Sequence, residues 1–77
     1  MKTIEVLGTG CPRCRATVQV IEETARARGA AVEVRKVDRI DDIIARGVVT
    51  MPAVVLDGKV LVAGRVPTRK EVEGWLG

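Results

Sequence analysis

Both cysteines of the 77-residue chain stand in one run, Gly8-Thr9-Gly10-Cys11-Pro12-Arg13-Cys14. Two thiols at this spacing suit thiol–disulfide exchange or capture of a soft metal. Which of these the chain performs depends on how the sulfurs are held. Ahead of the run, Thr3-Ile4-Glu5-Val6-Leu7 reads as a strand, and after it apolar residues recur at helical spacing. The thiols therefore fall at a strand-to-helix turn, with Cys11 at the mouth of the helix and Cys14 one turn in. A helix start carries unpaired N–H groups and about half a positive charge, so it favours an anion. A thiolate there is stabilised, and Cys11 is expected to ionise below the ~8.5 of a free cysteine. Pro12 suits the first helical position, where a missing N–H costs nothing. Arg13 adds a cation between the sulfurs.

The elements that position this pair follow in order. Lys2 to Leu7 is the first strand, and Gly8 and Gly10 let the chain turn and leave Cys11 unobstructed. A helix from Pro12 to about Arg28 carries Cys14, Val18, Ile21 and Ala25 on one inward stripe, so that Cys14 points in while Cys11 stays at the tip. Gly29 stops it. Ala31 to Val37 alternates as a second strand, nearer a sheet edge because its other face is charged. Asp38, with Asp41 three residues on, is expected to cap a short helix whose Ile40, Ile43 and Ile44 face in, and Gly47 ends it. Ala53-Val54-Val55-Leu56 is a third strand, joined through the hairpin signal Asp57-Gly58 to a fourth at Lys59 to Ala63. Thr68 and Glu71 form a capping box that opens a last helix with Val72, Trp75 and Leu76 inward. The order β-α-β-α-β-β-α, read as two β-α-β crossovers and a terminal hairpin, implies a mixed four-stranded sheet with helices on both faces. It is expected to form one domain over residues 1–77.

Composition narrows the function classes. Thirteen basic against ten acidic residues leave a net charge of +3, scattered and without aromatic partners, which argues against a nucleic-acid surface. One Trp with no Phe and no Tyr means that the core is aliphatic. A strand starting at Lys2 leaves no room for a signal peptide, and no apolar run approaches ~18 residues. A reducing cytoplasm is therefore expected, where a cysteine pair is more often catalytic or metal-binding than structural.

With Cys-Pro-Arg-Cys after strand one and Thr50-Met51-Pro52 at the start of strand three, the chain resembles a minimal thioredoxin fold. It is most similar to the very small thioredoxin- and glutaredoxin-like redox-active disulfide proteins, which share the Gly-Thr-Gly-Cys-x-x-Cys opening and a late Gly-Arg-Val, here Gly64-Arg65-Val66. The resemblance implies a thiol–disulfide oxidoreductase. Cys11 would be the nucleophile, Cys14 the resolving cysteine and Pro52 a cis proline facing the active-site turn. Met51 would pair its backbone with a bound target, and Pro12, Arg13 and Thr50 would share the binding surface. Glu5 falls where thioredoxins carry a buried acid that relays protons; we read it instead as a partly exposed strand carboxylate. Gly10 stands where thioredoxins have Trp, and Arg13 and Gly64-Arg65 replace the usual glutathione contacts. The partners implied are disulfide-containing proteins and a thiol or flavin reductase as donor, with no cofactor, no nucleic acid and no membrane, the chain acting as a monomer.

A Cys-x-x-Cys at a loop–helix junction also resembles the site of heavy-metal-associated domains. Two thiolates suit Cu(I) or arsenite, whereas a four-ligand zinc site would need another chain. Those domains end in a strand, while this chain ends in a capped helix. A third reading, a non-catalytic adaptor using the peptide groove, leaves the exposed thiol unexplained.

Overall fold

A computed structural model describes residues 2–76. Its centre is the first strand, β1 (Lys2–Leu7), which pairs parallel with β2 (Val32–Val37) and antiparallel with β3 (Ala53–Leu56). A hairpin adds β4 (Lys59–Ala63), so the sheet order is β2-β1-β3-β4. The hairpin signal is obeyed: Asp57 (φ 48°) and Gly58 (φ 87°) both take positive φ, the geometry whose twist matches the flanking strands.

Alternation along β1 divides the core in two. Ile4 and Val6, with Val54 and Val62, pack against Val18 and Ile21 of α1 (Pro12–Arg28) and Val72 of α3 (Arg69–Leu76). On the other face Leu7, Ala53 and Val55 meet Ile43 of α2 (Ile40–Ala45) and Val48. This is the mixed sheet covered on both faces that the element order implied. The inward stripe on α1 also forms as read, with Cys14, Val18, Ile21 and Ala25 buried. Thr17 and Thr24 are buried beside them, each hydroxyl donating to the carbonyl four residues back, Arg13 and Val20. At α3 the capping box closes as expected. Glu71 N–H donates to Thr68 Oγ1 (3.2 Å) and Thr68 N–H to Glu71 Oε1 (2.9 Å).

Four expectations need correction. The second crossover is not parallel. Val37 and Ala53 both lie beside Leu7, so the chain returns to the end of the sheet that it left and β3 must run back against β1. A six-residue α2 spans only about 9 Å, less than half of a six-residue strand at about 20 Å, and does not carry the chain to the opposite end. Asp38 does not cap α2, because the N-cap is Arg39 and no side chain bonds to the first turn. Nor do all three isoleucines face in, since Ile43 is buried while Ile40 and Ile44 are 51% and 60% exposed. One short helix has room for a single anchor. The second strand also begins one residue later than read, at Val32.

Candidate active site

The site grows out of the end of β1. Gly8 N–H donates to Val37 O (2.9 Å), which carries the β1–β2 ladder one step beyond Leu7. Gly8 is buried and must be glycine for reasons of space: a Cβ there would stand 2.9 Å from Cys14 Cβ and overlap Cys14 Sγ. Gly10 then turns the chain at φ +86°, a region closed to most side chains. Cys11 follows in extended geometry (φ −68°, ψ 161°) as the N-cap of α1, with Pro12 in the first turn.

That placement gives Cys11 a specific partner. Its sulfur accepts a hydrogen bond from Cys14 N–H (3.2 Å), one of the amides a helix start leaves unpaired. Arg15 N–H closes the first helical bond on Cys11 O (3.0 Å). The two cysteines form a disulfide with Cα atoms 5.1 Å apart. Their surroundings differ: Cys14 is 4% exposed, whereas Cys11 is half-buried at the tip. Pro12 and Arg13 are exposed beside it, and the Arg13 guanidinium joins none of the ion pairs among the described residues.

The antiparallel register Leu7↔Ala53 brings the segment before β3 to the same end of the sheet, with Pro52 next to the pair and Gly8 opposite. The Met51–Pro52 peptide bond is cis, and Pro52 O accepts from Gly64 N–H (2.8 Å), so the start of the last loop is tied to this segment. Thr50 packs over Gly64, and Met51 is exposed. Of the apolar residues nearby, Val48 belongs to the core, while Val49 at 91% is the most open large hydrophobic side chain described.

A disulfide thus caps α1 at the same end of the sheet as a cis proline. A family model described as Thioredoxin domain matches residues 2–77. The chain belongs to the thioredoxin-domain family. A thioredoxin of Methanothermobacter thermautotrophicus is 29% identical over 73 residues, covering 95% of each chain. A thioredoxin of Methanocaldococcus jannaschii is 30% identical over 73 residues, covering 95% of this chain and 84% of that one. Among solved structures, thioredoxin-2, a component of malaria parasite protein secretion machinery, superposes with a TM-score of 0.73 over 97% of this chain and 80% of its own, at 12% identity, a likeness of fold. The domain is a thiol–disulfide oxidoreductase.

Within this thioredoxin domain, Glu5 is claimed by an ion pair. Arg46 Nε and Nη2 each donate at 2.8 Å to its two carboxylate oxygens. Those hydrogen bonds hold the Glu5 carboxyl below the usual range despite its partial burial, with further help from the Arg46 and Arg35 charges. Its sheet partners are Arg35 and Val55, on the α2 face, whereas Cys14 packs on the α1 face. Sequence reasoning missed Arg46, whose Nη1 also donates to Asp42 O (3.0 Å), because nothing local to Arg46 points to a residue on β1. It also missed a cleft of about 330 Å³ between α1 and the end of β2, lined by Val6, Gly8, Cys14, Val18, Lys36 and Asp38 among others. The strand register, once known, is what reveals it. No group of three or more potential metal ligands occurs among the described residues, and no helix is long and apolar enough to cross a membrane.

Proposed function

We propose that the domain reduces disulfides in protein targets through its Cys-Pro-Arg-Cys dithiol, Cys11 attacking and Cys14 resolving. The observation that carries this reading is the sulfur of Cys11 capping α1 while that of Cys14 lies buried beneath the turn. In the reduced protein, Cys11 as thiolate keeps the Cys14 N–H and the positive end of the helix as its stabilisers. It attacks one sulfur of the target disulfide, forming a mixed disulfide and releasing the first target thiolate. Cys14, as thiolate, then attacks Cys11 Sγ, which restores the intramolecular disulfide and frees the second target thiol. A thiol or flavin reductase returns two electrons to the pair.

The target would lie across Pro12 and Arg13 on one side and Thr50, Met51 and Pro52 on the other. Met51 would offer backbone groups to an extended segment, and Val49 and Met51 supply an apolar surface for docking. In this reading the domain is a monomeric carrier of the reducing cytoplasm, needing no cofactor of its own.

Insulin-type disulfide reduction tests the proposal, run in parallel with glutathione and with a thioredoxin reductase as donors. Turnover with either is expected, and a Cys14→Ser variant should trap mixed disulfides with proteins through Cys11. Stoichiometric Cu(I) or arsenite binding with no reductase activity under either donor would replace this reading with a metal-transfer role for the same thiols.

A further inference from the structure

Resolution requires Cys14 as a thiolate, yet burial disfavours the charged form. The proton needs an acceptor on the α1 face of the sheet. Glu5 does not serve: it lies on the α2 face with both oxygens bonded to Arg46.

The register of β2 supplies a different carboxylate. Leu7 and Val37 pair side by side and pack into the α2-face core, whereas Val6 and its partner Lys36 turn to the α1 side. Two-residue alternation returns the next pair, Gly8 and Asp38, to that side. The bond from Gly8 N–H to Val37 O keeps the ladder intact to this level. Asp38 is therefore the neighbour of Gly8, the residue in contact with Cys14 Sγ, and both line the cleft that Cys14 also lines. Its side chain is uncommitted: it does not cap α2, and it joins none of the ion pairs among the described residues.

We infer that Asp38, reaching Cys14 through the cleft between α1 and β2, accepts the proton that Cys14 loses when it resolves the mixed disulfide. The inference rests on the reading in which Cys14 resolves. In the step, the Cys14 S–H proton passes to an Asp38 oxygen, directly or through one water, and the new Cys14–Cys11 S–S bond forms as the Cys11–target bond breaks. The electron pair leaves on the target sulfur, and the proton on Asp38 returns to solvent. The other charges in the cleft are Arg15 and Glu22 from α1 and Lys36 from β2. Glu22 is two turns along from Cys14, about 12 Å by helical rise, and too remote to compete. Lys36, one pleat behind Asp38 on the same face, is a cation with no lone pair to take the proton. β1 adds only Lys2 to this face, at its far end, with Nζ donating to Trp75 O.

The test mixes reduced full-length protein with a neutral aromatic disulfide, 4,4′-dithiodipyridine, below the pH midpoint of closure. Attack by Cys11 releases one thiopyridone in a concentration-dependent phase, and closure by Cys14 releases a second in a unimolecular one. Asp38→Asn is expected to leave the first phase unchanged and slow the second by about tenfold or more. Added imidazole, small enough for the cleft, should restore it, Asp38→Glu should close at near the wild-type rate, and Glu5→Gln should keep the wild-type closure phase. Asp38→Asn closing as fast as wild type, or slowly with no response to imidazole, would overturn the inference. A wild-type protein that releases no thiopyridone, or only one equivalent, would overturn the dithiol reading itself, and the role of Asp38 with it.

Discussion

Gly8 and Cys14 occupy space that a single methyl group would close, the sulfur standing where a Cβ on Gly8 would project. The end of β1 and the first turn of α1 thus touch without a side chain between them. Gly8→Ala must push the helix start away or rotate Cys14, an overpacking strain of about 1–3 kcal/mol. Denaturant unfolding of the oxidised protein should show that loss, and insulin reduction should fall with it. Wild-type stability and turnover in Gly8→Ala would show that the contact is not needed.

In the proposed reading, the Cys11 thiolate would owe its stabilisation to the backbone more than to a side chain. The Cys14 amide is 3.2 Å from its sulfur, whereas the Arg13 guanidinium is exposed and screened by solvent. Alkylation with iodoacetamide as a function of pH should therefore give a midpoint below the ~8.5 of a free thiol. In Arg13→Gln that midpoint should rise only slightly, and less in high salt. A midpoint at or above the free-thiol value would remove the helix start as the source of reactivity.

Adjacent isoleucines of α2, Ile43 and Ile44, separate core from surface within a single turn. Ile43 is 3% exposed among Leu7, Val48, Ala53 and Val55, while Ile44 stands in solvent. Ile43→Ala should cost about 2–4 kcal/mol, and Ile44→Ala should stay within about 0.5 kcal/mol of wild type. Urea midpoints of the two variants measure the contrast, and equal losses would contradict this orientation of α2.

The same contrast separates what neighbouring residues decide from what distant segments decide. Capping at Thr68 and Glu71, the Asp57-Gly58 hairpin, the stripe on α1 and the dithiol at its start are local patterns, each decided within a few residues by backbone geometry and helical period. The direction of β3, the face of α2 and the partner of Glu5 are decided by distant segments. Arg46 and Glu5 lie 41 positions apart, and Asp38 comes level with Gly8 only through the parallel ladder. A local motif suggested Asp38 as a cap, but the short chain path after Val37 starts α2 one residue later, at an N-cap of Arg39. What was illegible in the site was the second wall of the cleft, because register is a long-range property.

Glu71 predicts a pH signature in the last helix. Arg65 donates to both its oxygens (2.7 and 2.6 Å), and with the Thr68 N–H these bonds lower the Glu71 carboxyl to about 2. A folded-state value below the unfolded ~4.3 means that the charged form stabilises the fold above the unfolded value. The contribution is complete above about pH 5 and is lost as pH falls toward 2. Glutamine at this position keeps the capping geometry while removing the charge, so Glu71→Gln isolates the ionic part. Its urea midpoint should lie below that of wild type at pH 7, and the gap should close between about pH 5 and pH 2. Because Glu5 titrates in the same direction in both proteins, its effect cancels in the difference. A gap that stays constant down to pH 2 would mean that the Arg65 pair adds nothing that depends on charge.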